Sequence, residues 1–210
     1  MPNQIECFRP LTRWAETVRE GGQIAASVQA AFERFRSRRP GPIALSIPTD
    51  LLMAKGPGAL HEPRGARARC DAALIERAAA LLRGARRPLV ITGGGVVAAG
   101  AEAELLALAR RLGAPVVTTV NGRGAVPETD PLWLGVLPNR LASQAALEAA
   151  DVVFAVGCRF AHRSTKGLLL NLDFRPEQRL IHLDLDPIAP READGLRIHT
   201  LWGELAFRLG

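Results

Sequence analysis

Three short stretches carry residues whose types and spacing could bind a ligand. The first is Gly93-Gly94-Gly95-Val96-Val97-Ala98, which directly follows the apolar run Leu89-Val90-Ile91-Thr92. It fits the loose pattern G-x-G-x-x-G/A between a strand and a helix. There, glycines let backbone N–H groups approach a pyrophosphate, and the helix N-terminus favours its charge. The same residues also suit a tight turn that simply closes a helix onto a strand. The second stretch is Gly157-Cys158-Arg159-Phe160-Ala161-His162-Arg163, again following an apolar run. A glycine turn with Arg159 and Arg163 would suit a phosphate, or it is a solvated basic loop. The third is the pair Asp184 and Asp186, at the carboxyl end of Leu180-Ile181-His182-Leu183. Open α/β sheets bind ligands there, and a carboxylate could accept hydrogen bonds from a ribose. Asp186 before Pro187 could equally initiate a turn.

Several chemistries are disfavoured. A nicotinamide site wants an acidic residue at the end of the second strand, where this chain has Thr118-Thr119-Val120-Asn121. The aspartate pair has no third ligand in spacing for a metal. Ser164 lacks a G-x-S-x-G context, and no P-loop, HExxH or CxxC motif occurs. The residues alone therefore indicate nucleotide-like binding without identifying a reaction.

These stretches require a scaffold of strands and helices. Residues 22–36 have Ile24, Val28, Ala31, Phe32 and Phe35 at helical spacing, and Pro40-Gly41-Pro42 ends that helix. Ile43 to Ile47 reads as one buried strand. A single strand and its helix cannot cover both faces of a sheet, so residues 1–55 are expected to be loosely held and protease-sensitive unless they pack on something else. Residues 56–70, rich in glycine, proline and arginine, read as a linker. From residue 71 strand and helix alternate. Asp71 should cap a helix facing inward with Leu74, Ala78, Leu81 and Leu82. Leu89–Thr92, Pro115–Thr119, Val152–Val156 and Leu180–Asp184 read as strands, with Ile198-His199-Thr200 a short fifth. One helix bearing Ala101, Leu105, Leu108 and Leu112, closed by Gly113, and a second over 141–149 connect them. Uniformly apolar strands separated by helices imply a doubly wound parallel sheet covered on both faces, an α/β fold.

Hydrophobic residues make up 48% of the chain, enough for a sizeable core. The net charge of +6 comes almost wholly from arginine, without interleaved aromatics and with no tyrosine, so nucleic-acid binding is not expected. No apolar run reaches the roughly 20 residues of a membrane helix. Cys7, Cys70 and Cys158 form no disulfide or metal pattern, which together with the N-terminal residues points to the cytoplasm.

Taken in order, the segments resemble a known family. Arg39-Pro40-Gly41-Pro42 with Ile43 to Asp50 resembles the end of a pyrimidine-binding domain, and Phe8 with Thr12-Arg13-Trp14 the stretch before it. Arg87 to Gly95, Asn121 to Glu128, Leu134-Gly135, Ala150 to Val153, Gly157 to Phe160 and Ile181 to Pro187 then resemble a central domain. The ordered set is similar to the thiamine-diphosphate-dependent 2-oxo acid decarboxylases and carboligases, and within them to the acetolactate synthase type. The resemblance implies a Rossmann-like central domain over 71–210, preceded by a pyrimidine-domain remnant over 1–55. It implies that FAD or ADP contacts fall on Gly93, Gly94, Thr119, Leu134, Gly135, Gly157, Arg159, Arg163, Asp184 and Asp186. This chain departs from the acetolactate pattern at Val136-Leu137-Pro138-Asn139 and at Ala161-His162. The family's activating glutamate and its Gly-Asp-Gly…Asn segment, which hold thiamine diphosphate and Mg²⁺, have no counterpart here. The expectation is a fragment of an enzyme, inactive alone, whose partners are the missing pyrimidine- and diphosphate-binding domains, a second subunit or further copies of itself. The competing expectation is a stand-alone FAD- or ADP-binding module with a regulatory or interaction role.

Overall fold

The structure is a computed structural model that describes residues 3–37, 41–53, 70–137, 141–160, 177–185 and 195–199. The chain divides into two compact units, Met1–Arg67 and Ala68–Gly210. The linker expected over 56–70 lies outside the described residues, apart from Cys70.

The first unit has a short helix α1 (Gln4–Phe8), strand β1 (Trp14–Thr17), helix α2 (Ile24–Ser37), strand β2 (Ile43–Ser46) and a single turn α3 (Thr49–Leu52). The strands β1 and β2 are parallel, with Trp14 opposite Ile43 and Thr17 opposite Ser46. Parallel neighbours need a crossover, and α2 supplies it. The sequence reading of one strand therefore missed β1. Its Trp-Ala-Glu-Thr run is too short and too polar to register as an apolar strand. The Arg34 guanidinium lies 4.1 Å from the centre of the Trp14 ring, tying α2 to β1 by a cation–π contact. The apolar stripe expected on α2 is only partly covered. Ala31 is buried, but Phe32 and Phe35 are exposed and meet edge to face at 5.9 Å.

In the second unit, α4 (Ala72–Arg83) begins at Asp71, whose carboxylate accepts the Ala73 N–H at 2.9 Å, an N-cap. Strand β3 (Pro88–Thr92) follows, then α5 (Gly94–Ala99) and α6 (Glu102–Leu112). The sequence suggested one helix here. Gly100, at φ 64°, stops α5 in a left-handed C-cap, and Gly113, at φ 60°, ends α6 the same way. Strands β4 (Val116–Thr118) and β5 (Trp133–Val136), helix α7 (Leu141–Ala149), then β6 (Val152–Val156), β7 (Arg179–Asp184) and β8 (Gly195–His199) complete the unit. Strand β5 is a further strand missed in the sequence.

Among the described residues the sheet is six-stranded, in the order β5-β4-β3-β6-β7-β8, and every pairing is parallel. Numbered from its first strand this is 3-2-1-4-5-6, the order of doubly wound dinucleotide-binding sheets. The expected fold class is the observed one. Each face of the sheet carries its own core. Val90, Val116, Phe154 and Ile181 pack with Ile75, Ala78 and Leu82 of α4 and Leu105 and Leu108 of α6. Leu89, Ile91, Val117 and Val153 pack on the other side with Leu147 of α7. Alternate side chains of each strand thus enter opposite cores, which is why the strands read as uninterrupted apolar runs. On α4 the buried positions are Ile75, Ala78, Ala79 and Leu82, while Leu74 and Leu81 sit at the margin.

The amino ends of the central strands converge on one carboxylate. Asp151 accepts hydrogen bonds from the backbone N–H groups of Arg86 at 2.7 Å and Arg87 at 3.0 Å. Its own N–H donates to Arg87 O, and its carbonyl accepts from Arg179 N–H, so it joins the starts of β3, β6 and β7. Partial burial opposes ionisation of Asp151, but the backbone donors Arg86, Arg87 and Val152 outweigh it and hold the carboxyl below its usual 3.8. A depressed carboxylate adds stability above its unfolded pKa and loses it as pH falls through the folded value. Asp151→Asn should therefore destabilise the protein at neutral pH by on the order of 1 kcal/mol. In urea titrations run from pH 7 downward, the gap from wild type should shrink once the pH drops below the ordinary carboxylate value.

Candidate functional site

The direction of winding reverses between β3 and β6, so the crevice at their carboxyl ends is the topological switch point. Two of the three sequence candidates meet there. Thr92 pairs with Val156, which brings Gly93-Gly94-Gly95 beside Gly157-Cys158. The backbones come unusually close. A Cβ built on Gly93 would lie 2.7 Å from Cys158 Cα, and one on Gly95 would lie 2.6 Å from Gly157 Cα. A Cβ on Gly122, after β4, would lie 2.9 Å from Gly93 Cα, and one on Gly94 would lie 2.8 Å from Asn121 O. Hydrogen bonds tie these turns together. Gly93 N–H donates to Val156 O at 2.8 Å, and Gly95 N–H donates to Gly157 O at 3.1 Å. The glycines are therefore required by the packing of three turns, and a phosphate arriving here would find the amides of Gly93 and Gly95 engaged.

The other candidates spread along the same edge. Thr119 N–H donates to Thr92 O at 2.8 Å, and the Thr119 hydroxyl accepts from Gly122 N–H at 3.2 Å, so the side chain caps its own turn. Gly157 N–H donates to Leu183 O, which sets Asp184 one strand further on. From Thr119 to Asp184 the edge crosses three strand spacings, about 14 Å. Arg159 is exposed in the loop after β6. Leu134 and Gly135 fall inside β5 rather than on a loop. Gly135 has φ 122°, beside a register shift at Val116/Val117, and its carbonyl accepts from the Thr118 hydroxyl at 3.4 Å. Arg163 and Asp186 lie outside the described residues, as do His162 and Ser164.

Two polar groups at this edge escaped the sequence reading. His182 is only 4% exposed, and its Nε2 lies 2.9 Å from Cys158 O. A carbonyl only accepts, so Nε2 carries the proton. The Asp184 carboxylate, also buried, is 3.9 Å from the same nitrogen. A histidine interrupting an apolar strand was the available signal, but its partners lie on another loop. Thr92 is the second: its buried hydroxyl has no hydrogen-bond partner among the described residues, at the end of the central strand. No three His, Cys, Asp or Glu side chains come together as a metal site among the described residues.

Residues 75–196 match the family described as thiamine pyrophosphate enzyme, central domain. The acetolactate synthase of Mycobacterium bovis is 35% identical over 185 residues, covering 85% of this chain and 29% of that one. The glyoxylate carboligase of Escherichia coli O157:H7 is 33% identical over 190 residues, covering 85% and 31%. Among solved structures, an enzyme from Mycobacterium smegmatis assigned as thiamin diphosphate-dependent superposes with a TM-score of 0.77 at 26% identity, covering 99% of this chain and 40% of that one. The chain thus spans about a third of the length of the curated relatives it matches.

Glycine substitutions separate packing from backbone freedom. Gly157 has φ 56° and no room for a methyl group, whereas Gly100 has φ 64° with nothing within 4 Å of an added Cβ. Gly100→Ala should cost about 1 kcal/mol, from the left-handed backbone alone. Gly157→Ala should cost about 2–4 kcal/mol, because overpacking adds to it. Chemical denaturation of the two variants side by side checks the difference.

Proposed function

The chain belongs to the thiamine pyrophosphate enzymes as a central domain, and from that premise we propose that it is the scaffold of a carboligase or decarboxylase acting on a 2-oxo acid such as pyruvate. The single observation that carries this is the family match over residues 75–196, on a sheet wound in the 3-2-1-4-5-6 order. The similarity to acetolactate synthase and glyoxylate carboligase supports the carboligase branch.

In this reading the domain's work is mechanical. Its buried sheet, closed at one end by the glycine turns and at the other by Asp151, holds neighbouring domains at a fixed spacing. Thiamine diphosphate supplies the carbanion chemistry when bound. Its pyrimidine, diphosphate and Mg²⁺ contacts belong to pyrimidine- and diphosphate-binding partners, on the same polypeptide or another. Phe32 and Phe35 on α2, exposed among the described residues, support a partner for the first unit as well.

A second reading is favoured by the strand order alone: an adenine nucleotide, as FAD or ADP, lying along the edge from Thr119 past Gly93, Gly94 and Gly157 to Asp184, with Arg159 near its phosphates. The side chains of Thr119, Arg159 and Asp184 would have to do most of the binding, given how the glycine amides are used.

The 210-residue chain incubated with thiamine diphosphate, Mg²⁺ and pyruvate should consume no pyruvate. Activity should appear when it is joined to the pyrimidine- and diphosphate-binding domains of an acetolactate synthase. Turnover by the chain alone would overturn the scaffold reading. Titration calorimetry with FAD and with ADP decides the second reading independently, and no heat with either removes it.

A further inference from the structure

The turns at the amino edge of the second unit's sheet are fixed by main-chain bonds, which leave the arginine side chains there without a structural task. The Asp151 carboxylate accepts the Arg86 and Arg87 N–H groups at 2.7 and 3.0 Å, and its carbonyl accepts the Arg179 N–H at 2.8 Å. Gln178 Nε2 donates to Leu147 O at 2.7 Å and to Ala150 O at 2.9 Å, which ties the entry of β7 to the end of α7. Three arginines from two strand entries are thus gathered about one residue on a pinned backbone.

All three side chains are exposed, and none forms an ion pair among the described residues. Other arginines do find partners. Arg9 meets Glu6 and Arg110 meets Asp130, each at 2.8 Å, Arg123 meets Glu128 at 2.7 Å, and Arg34 lies over Trp14. Arg83, in the last turn of α4, suits the negative end of that helix. Arg86, Arg87 and Arg179 stand at no helix end. Pro88 pairs with Val152 and Val152 with Arg179, so the entries of β3 and β7 lie two strand spacings apart, about 10 Å. Their like charges repel at that range.

We propose that this amino edge is a docking face for a carboxylate-rich segment of another protein, gripped by Arg86, Arg87 and Arg179. The inference goes beyond the scaffold role, since it needs neither thiamine chemistry nor the crevice at the carboxyl ends. Each guanidinium presents a planar fork of N–H donors that matches a carboxylate with two parallel bonds. The backbone beneath is already fixed, so docking orders side chains only. In a polyproline II segment, carboxylates three residues apart share one face at about 9 Å, close to the spacing of the two strand entries. Exposed Glu148 and Glu177 stand three residues before Asp151 and two before Arg179. They disfavour a uniformly charged polyanion and tolerate a segment whose carboxylates are spaced. No aromatic residue occurs over 83–88, 148–152 or 177–180 on which a base could stack.

Fluorescence anisotropy of a labelled peptide that repeats Glu-Pro-Pro, titrated with the 210-residue chain, tests the docking face. Arg86→Glu combined with Arg179→Glu should weaken binding about tenfold or more, because attraction becomes like-charge repulsion at two points. Arg19→Glu with Arg123→Glu makes the same change in net charge at exposed positions in the first unit and after β4, and should weaken binding less than about threefold. Equal losses in the two double variants overturn the proposal, since binding would then follow net charge alone. Absence of binding by the unaltered chain overturns it too. So does tighter binding of an oligothymidylate of equal charge, which would make the face a nucleic-acid site. Should the glutamate variant fail to fold by circular dichroism, Arg86→Gln with Arg179→Gln takes its place. It should bind about threefold more weakly than Arg19→Gln with Arg123→Gln, and no difference between those two overturns the docking face as well.

Discussion

At the carboxyl edge of the sheet, the backbones of the turns leaving β3, β4 and β6 touch with no side chain between them. Much else follows from that contact. Gly93 and Gly95 meet Gly157, and Gly122 meets Gly93, at separations that no Cβ could occupy. The approach lets Gly93 and Gly95 donate their N–H groups across to Val156 and Gly157. It also lets α5 begin directly above the sheet, with Val96 entering the core. A bulkier residue at Gly93, Gly95 or Gly157 would part β3 from β6, where Leu89, Val90 and Ile91 lie beside Val153, Phe154 and Ala155, all essentially excluded from solvent. Burying each such side chain contributes about 1.5–3 kcal/mol, so parting the two central strands would forfeit several of these terms together.

The opposite edge solves the same problem with charge. Asp151 gathers the entries of β3, β6 and β7 through backbone donors, and those donors keep it ionised despite its partial burial. The two devices differ for a reason. At the amino edge the strand-entry N–H groups have no ladder partner, and a carboxylate satisfies two at once. At the carboxyl edge the turns must run into helices, and only bare backbone leaves space for that. Asp130 does a comparable job beside β5. The Leu132 N–H first, and then Arg110 at 2.8 Å, hold its carboxyl below the usual value, which fixes the turn that delivers the edge strand.

How legible this was in the sequence depended on burial. Strands β3, β4 and β6 are almost wholly apolar, and β7 is so from Leu180 to Leu183 except at His182, because each is covered on both faces. Strands β1 and β5 are different. Trp14-Ala15-Glu16-Thr17 and Trp133-Leu134-Gly135-Val136 are short and half-covered, and β5 carries a register shift, so their existence depends on neighbours that local composition does not reveal. The stripe on α2 was visible as periodicity, but periodicity does not say whether anything covers Phe32 and Phe35. Within the site, the glycine motif was plain, while its use was not. Pattern alone cannot tell an amide aimed at a ligand from one aimed at another turn. His182 was the least legible of all, since Cys158 and Phe160, which it touches, stand on a loop some two dozen residues away in the chain.

That ambiguity bears on what this architecture can be asked to explain. A parallel sheet in this order presents a crevice whatever occupies it, and folds of this kind host many unrelated functions. Here the crevice floor is made by glycines whose packing suffices to account for them, so they cannot by themselves argue for a nucleotide. Of the side chains along this edge, Arg159 is exposed, while the Thr119 hydroxyl caps its own turn and Asp184 is buried beside His182. The tie to the thiamine pyrophosphate enzymes accordingly rests on the ordered match along residues 75–196. In the scaffold role proposed above, the pinned edges that keep the core strands together would make rigidity the domain's contribution to catalysis carried out elsewhere. Holding reacting groups in place removes an entropic cost that chemistry would otherwise have to overcome.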